Sequence, residues 1–340
     1  MRDIAHKASI SPTASAISLA ITVRRAPTAS PPASATRVGI DKETRDVVRD
    51  IAAYPALAKG DPDINKIRAA YNEVFAAWTA PSLVPTEEHW IEEDRITSLV
   101  IRPLNKAAGA GTIVFVHGGG WSLGTALCYA PLGRHLAGIS GMTVILPDFP
   151  QSPEAPFPAA FDALRDWLAA KLHDADEPYF LSGDSAGATL SAVLSQEDGI
   201  AGHLAGQGLL YPVTDLRLDA RYRSRRRFGS GKYFLTTDGI IGAAMMYLGT
   251  SGDANDPRIS PILQEDVSAS PPTFFLFPEY DPLRDEGEAY AQKLKKAGVQ
   301  TEIRIARHTI HGCASFSGRI PAGRVGMEQM ATIFQEWATV

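Results

Sequence analysis

Only two cysteines, Cys128 and Cys313, occur in 340 residues, which excludes a disulfide framework and every zinc pattern built from several cysteines. Long apolar runs are also missing. Stretches such as Ala16 to Val23 and Met142 to Leu146 fall well short of the roughly 20 residues that a membrane-spanning helix needs. There is no excess of positive charge: the formal net charge is −5 and the acids are spread along the chain. The electrostatic footprint of a nucleic-acid or anionic-lipid binder is therefore absent. The one basic cluster, Arg221, Arg223, Arg225, Arg226 and Arg227, reads as a solvated face or loop. Neither phosphate-cradling glycine pattern, G-x-x-x-x-G-K-[ST] or G-x-G-x-x-G, has a match, and neither does S-x-x-K. A soluble, cytoplasmic protein with no metal and no organic cofactor is the expectation.

What is present suits a globular domain with an accessory piece, with 45% hydrophobic and 21% charged residues. Residues 1–39, rich in Ala, Ser, Thr and Pro, lack a helical period and are expected to form a disordered arm. Arg2, Lys7, Arg24 and Arg25 against the single acid Asp3 leave a targeting peptide conceivable, although an unstructured or mis-started N-terminus is the preferred reading.

From Asp41 to Ala80 the apolar residues recur at helical spacing: Val47, Val48 and Ile51, then Ile64, Ile67, Ala70, Tyr71 and Phe75. Two helices separated at Gly60-Asp61-Pro62 are predicted. His89 to Glu92 and Ile96 to Arg102 read as a hairpin. Beyond Gly111 come short apolar runs spaced by helical segments: Thr112 to Val116, Met142 to Leu146, Tyr179 to Leu181, Gly208 to Tyr211, Thr273 to Phe277 and Thr301 to Ile305. Such runs alternating with helices, as at Pro158 to Leu172 and Asp285 to Ala297, predict a parallel sheet covered on both faces. The stretch from Leu216 to about Ser260 is too long for a simple crossover and reads as an insertion over the sheet edge where ligands bind.

Two motifs carry chemistry. Gly183-Asp184-Ser185-Ala186-Gly187 follows a predicted strand and opens a helix. A turn that tight excludes bulky neighbours and leaves the serine hydroxyl exposed at the sheet edge. His117-Gly118-Gly119-Gly120-Trp121 follows the strand Thr112 to Val116, and its missing side chains let backbone N–H groups point at a developing oxyanion. With Ser185 as nucleophile, an acid and then a histidine are expected in that order along the chain. Asp281 is favoured over Asp285, read as a helix N-cap, and over Glu279, which sits closer to the strand. His311 is favoured over His308, which lies nearer the strand end.

These motifs, with Pro153-Glu154, Pro156-Phe157-Pro158-Ala159-Ala160, Tyr211-Pro212-Val213-Thr214-Asp215 and Asp281-Pro282-Leu283-Arg284-Asp285-Glu286-Gly287, resemble the hormone-sensitive lipase family of α/β-hydrolases from about residue 87 to 340. The resemblance implies an α/β fold with a mostly parallel sheet of about eight strands flanked by helices. Residues 40–85 would form a helical cap, and 86–340 a catalytic domain with a cap insertion at about 216–260. It implies a serine carboxylesterase acting on short to medium chain esters, with Ser185, Asp281 and His311 as triad. The N–H groups of Gly118, Gly119 and Ala186 would form the oxyanion hole, and a homodimer is conceivable. His117, Asp184 and Glu154 are expected to hold the glycine loop, the elbow and nearby loops. Trp121, Met245, Met246 and Leu248 are candidates for the acyl pocket or for ordinary core. Cys313 is expected to be a small buried hydrophobe. The family's Asp-Tyr-Arg-Leu-Ala-Pro-Glu is here Asp148-Phe149-Pro150-Gln151-Ser152-Pro153-Glu154, so the usual arginine is absent. A lyase or amide hydrolase on the same scaffold, or a small-molecule binding protein without catalysis, are the alternatives.

Overall fold

The computed structural model describes residues 39–104, 106, 110–173 and 175–339. The arm expected over residues 1–39, with any targeting role, lies outside the described residues except for Gly39. In chain order the elements are α1 (Lys42–Ile51), α2 (Pro55–Lys59), α3 (Ile64–Trp78), β1 (Thr86–Glu93), β2 (Ile96–Pro103), β3 (Thr112–Val116), α4 (Ala126–Ser140), β4 (Thr143–Asp148) and α5 (Ala159–His173). Then come β5 (Tyr179–Asp184), α6 (Ala186–Leu194), β6 (Gly206–Leu210), α7 (Arg223–Phe228), α8 (Thr237–Leu248), β7 (Thr273–Pro278), α9 (Arg284–Lys296), β8 (Thr301–Ala306) and α10 (Pro321–Trp337).

The eight strands form one sheet in the order β1-β2-β4-β3-β5-β6-β7-β8. Six strands, β3 to β8, run parallel, while β1 and β2 form the expected hairpin and add antiparallel at the β4 edge. Strand alternation distributes each apolar run between the two faces of the sheet. Ile113, Phe115, Phe180, Phe274 and Leu276 lie on one of them, with Leu132 and Leu136 of α4 and Met330 and Phe334 of α10. Val114, Val116 and Leu181 lie on the other, with Phe161, Leu164 and Leu168 of α5 and Leu190 of α6. Each such side chain withdrawn from water contributes roughly 1.5–3 kcal/mol, which is why the parallel strands read as nearly unbroken apolar runs.

The N-terminal segment holds three helices where two were expected. The extra one, α2, is a single turn with Pro55 at its start, ending at the Gly60 break. Asp41 and Asp63 cap α1 and α3 by accepting the N–H groups of Thr44 and Asn65. Tyr71, Val74 and Phe75 of α3 bury against the α4 side of the sheet. Residues 216–260 hold α7 and α8. Leu216 N–H donates to Ser260 Oγ at 2.9 Å, so the two ends of the insertion meet.

Candidate active site

Ser185 lies between β5 and α6 with φ +51° and ψ −120°, a backbone conformation that L side chains seldom adopt. The chain can turn so sharply because glycine flanks the serine. A Cβ on Gly187 would stand 2.0 Å from the carbonyl oxygen of Val116, and one on Gly183 would stand 2.5 Å from the same atom. The serine N–H donates to Leu210 O at 2.9 Å, which ties the turn to β6.

The turn places Ser185 Oγ 3.0 Å from Nε2 of His311, in the loop after β8. On the other side of the ring, His311 Nδ1 stands 2.8 Å from Asp281 Oδ2. Asp281 is fully buried, and its second oxygen accepts Leu283 N–H at 2.9 Å. Two acceptor oxygens facing an N–H and a ring nitrogen make Nδ1 the protonated nitrogen, which leaves the Nε2 lone pair directed at the serine hydroxyl. The Tyr211 ring packs edge-on against His311 at 4.8 Å between centroids and limits its rotation.

The rival residues are occupied elsewhere. His308 donates its N–H to Glu279 at 2.8 Å, its Nδ1 lies 2.9 Å from Gly39 O, and its carbonyl accepts Asp41 N–H. Asp285 does not cap α9: that position is Leu283, and the Asp285 carboxylate accepts Ser224 N–H at 2.9 Å instead.

The glycine-rich loop differs from expectation in one donor. Gly118 N–H is spent on Asp184 Oδ1 at 2.7 Å, and Gly118 is not among the residues lining the cavity over Ser185. Gly119 and Gly120 do line it, and their N–H groups meet no acceptor among the described residues. Ala186 opens α6, where the first N–H has no carbonyl a turn behind it.

Asp184 holds this arrangement from beneath. Besides Gly118, it receives Tyr129 Oη at 3.2 Å, Ser315 Oγ at 3.4 Å and Tyr211 Oη at 3.5 Å. Burial pushes its carboxyl up to about 6, opposed by the Gly118 N–H and the other donors. His117 Nδ1 lies 2.9 Å from Gly118 O, and the ring stacks on Phe149 at 4.5 Å. Burial lowers its pKa, which keeps the ring neutral. Pro150 stands where the family pattern has its arginine, and the next residue, Gln151, donates to Gly124 O at 2.7 Å and so holds the far end of the same loop. Glu154 does not reach the elbow. It pairs with Arg68 of α3 at 2.7 Å, and Arg68 also donates to the carbonyls of Ser122 and Ser152.

The cavity has a volume of about 710 Å³, with Ser185 and His311 in its wall. Trp121 lines it and stacks on Tyr247 at 4.5 Å, and Met246 lines it from α8. Met245 does not: it points outward and is 60% exposed. Leu248 packs beneath, against the α5 core, and is not part of the lining. The helical period separates them, since Gly239, Gly242, Ala243 and Met246 share the cavity face of α8. Ile64, Ile67, Tyr71 and Phe75 of α3 also line the cavity, residues whose periodicity was visible but whose destination was not. Cys313 is fully buried within the α4-side core, and burial pushes its thiol well up. Among the described residues, no group of three or more His, Cys, Asp or Glu side chains could hold a metal ion, and no helix is long and apolar enough to cross a membrane.

Residues 113–315 match the family described as alpha/beta hydrolase fold. The carboxylic ester hydrolase LipN of Mycobacterium tuberculosis (strain ATCC 25618 / H37Rv) is 38% identical over 268 residues, 74% of this chain and 70% of that protein. The ethyl acetate hydrolase of Pseudomonas putida is 30% identical over 239 residues, 68% of this chain and 74% of that protein. Among solved structures, a hyperthermophilic esterase from the archaeon Pyrobaculum calidifontis superposes with a TM-score of 0.77 at 30% identity, covering 89% of this chain and 100% of the other. With the sheet, the serine turn and more than half of its length matched, the chain belongs to the α/β-hydrolase fold family, among its hormone-sensitive-lipase-like members.

Proposed function

We propose that this protein is a serine carboxylesterase in which Ser185 forms the acyl-enzyme, His311 moves the proton and Asp281 orients the imidazole. The observation that carries this reading is the unbroken relay Asp281–His311–Ser185, with contacts of 2.8 and 3.0 Å, in the wall of an apolar cavity. A serine hydroxyl is a weak nucleophile until a base takes its proton, and Nε2 stands where it can. Attack of Oγ on the ester carbonyl makes a tetrahedral oxyanion. Nε2–H then protonates the departing alkoxide, and water deprotonated by the same nitrogen releases the acid. Asp281 holds the imidazole in its tautomer and stabilises the imidazolium.

The N–H groups of Gly119, Gly120 and Ala186 are the donors we assign to the oxyanion. Gly120 takes the place expected of Gly118, whose hydrogen bond to Asp184 is the reason. Losing one such donor typically costs about 10²- to 10³-fold in rate. The cavity wall is mostly apolar and contains no lysine or arginine among the described residues, so it offers no counter-charge to an anionic substrate and suits esters of short to medium chain. Residues 40–85 and 216–260 act as its cap in this reading, because α3 and α8 both supply residues to its wall. Likeness to the carboxylic ester hydrolase and the ethyl acetate hydrolase supports the same substrate class.

Hydrolysis of p-nitrophenyl esters of increasing acyl length tests the proposal. Ser185→Ala is expected to lower kcat by roughly four orders of magnitude or more, and an organophosphonate is expected to label Ser185 covalently. A Ser185→Ala protein that turned over at the parental rate would overturn it.

A further inference from the structure

An ion pair removed from water joins the insertion to the turn that carries Asp281. Glu286 is fully buried in α9, and Arg225 of α7 is 8% exposed. Arg225 Nε donates to Glu286 Oε2 at 2.7 Å, and its Nη2 reaches both that oxygen and the carbonyl of Asp215. The other carboxylate oxygen accepts the N–H groups of Thr214 at 3.0 Å and Asp215 at 3.3 Å. Next to Arg225, Ser224 Oγ donates to Pro282 O at 2.7 Å, and Ser224 N–H donates to Asp285. Three segments therefore converge on one carboxylate: α7 of the insertion, the 281–286 turn, and the 211–215 segment. The last is itself held to the helix behind the nucleophile, since Thr189 Oγ1 donates to Val213 O at 2.6 Å.

Stability alone does not account for this pair: burial pushes the Glu286 carboxyl up while the Arg225 guanidinium and the Thr214 and Asp215 N–H groups hold it down, and a buried ion pair is often no more stabilising than apolar side chains of the same volume. Its directional bonds do fix orientation. We infer that Arg225 and Glu286 are positioning residues for the reaction, clamping the Asp281 turn and the 211–215 segment to α7 so that the carboxylate stays aligned on His311. The inference rests on the esterase reading above, and neither residue touches the substrate. It also separates Arg225 from the arginines around it: Arg223, Arg226 and Arg227 are exposed, whereas Arg225 is built into the core.

The test uses the full chain with Arg225→Met and Glu286→Gln combined. The glutamine keeps an oxygen for the Thr214 and Asp215 N–H groups, and the methionine fills the guanidinium's place without a charge. Misplacing a catalytic group by about 1 Å costs on the order of 10²-fold. The double variant is accordingly expected to lose roughly 10- to 100-fold in kcat on p-nitrophenyl butyrate, with KM within about threefold of the parent, and the rate of Ser185 phosphonylation is expected to fall in parallel. Arg226→Met, on the exposed side of α7, is expected to leave kcat unchanged. A folded double variant with parental kcat overturns the inference and reduces the pair to a structural tie. If the double variant does not fold, Arg225→Lys decides. A lysine keeps the charge facing Glu286 but cannot also fork to the Asp215 carbonyl. A several-fold loss of kcat at constant KM supports the inference, and a parental kcat overturns it. Ser185→Ala in the same assay keeps the two claims apart. If that variant is inactive while the folded double variant keeps the parental kcat, only the positioning role fails; if it is active, the esterase reading itself has failed.

Discussion

Replacing Asp184 by asparagine should change how the stability of this protein depends on pH. The carboxylate is 2% exposed, and burial raises it from an ordinary value of 3.8 to about 6. Between those values the folded protein holds a proton that the unfolded chain has released. Stability therefore declines as pH rises through that window, the opposite of a salt-bridged carboxylate. A difference of about two pH units corresponds to about 3 kcal/mol, lost between about pH 4 and pH 6. Asp184→Asn keeps an acceptor oxygen for Gly118 N–H, 2.7 Å away in the parent, and does not titrate. Urea denaturation of both proteins at half-unit steps from pH 4 to 7.5 isolates this group, because every other titrating residue is common to the pair. Parent stability minus variant stability is expected to fall by up to about 3 kcal/mol across the window and to level off near pH 7. A difference that stayed flat would refute the reasoning. A difference that rose with pH would show that the donors around the carboxylate outweigh its burial.

Three further outcomes follow from the geometry. Asp281→Asn preserves the shape beside His311 but presents an N–H to Nδ1, favouring the wrong tautomer; kcat for a p-nitrophenyl ester is expected to drop roughly 10⁴-fold with KM little changed. Gly187→Ala brings a Cβ to 2.0 Å from a backbone carbonyl with nothing flexible to move, so soluble expression or ester turnover is expected to be lost. Met246→Ala enlarges the cavity and should shift the acyl-length optimum toward longer chains, whereas Met245→Ala, 60% exposed, should leave the length profile in place.

Much of the fold was legible because its signals are local. The run Thr112 to Val116 coincides with β3, and the other parallel strands fall within one to three residues of the apolar runs that announced them, since strands buried on both faces must be apolar at nearly every position. The break at Gly60-Asp61-Pro62 and the hairpin at β1 and β2 were equally plain. The single turn α2 was not, because five residues are too few to display a period.

At the site, chain order and residue type singled out Ser185, Asp281 and His311, and the folded chain brings these three within hydrogen-bonding distance. A tight glycine-flanked turn and an ordered acid and histidine leave few candidates along the chain. Tertiary structure alone decided matters of direction. Which glycine N–H groups remain free depends on where the Asp184 carboxylate points, so Gly118 rather than Gly120 proved to be occupied. Which methionine meets the cavity depends on the phase in which α8 docks, and two neighbours in sequence lie 100° apart on a helix. Glu154 was visible as an acid in a motif, yet its partner Arg68 lies 86 residues away. Sequence periodicity fixes which face of an element is apolar, but only packing fixes what that face meets.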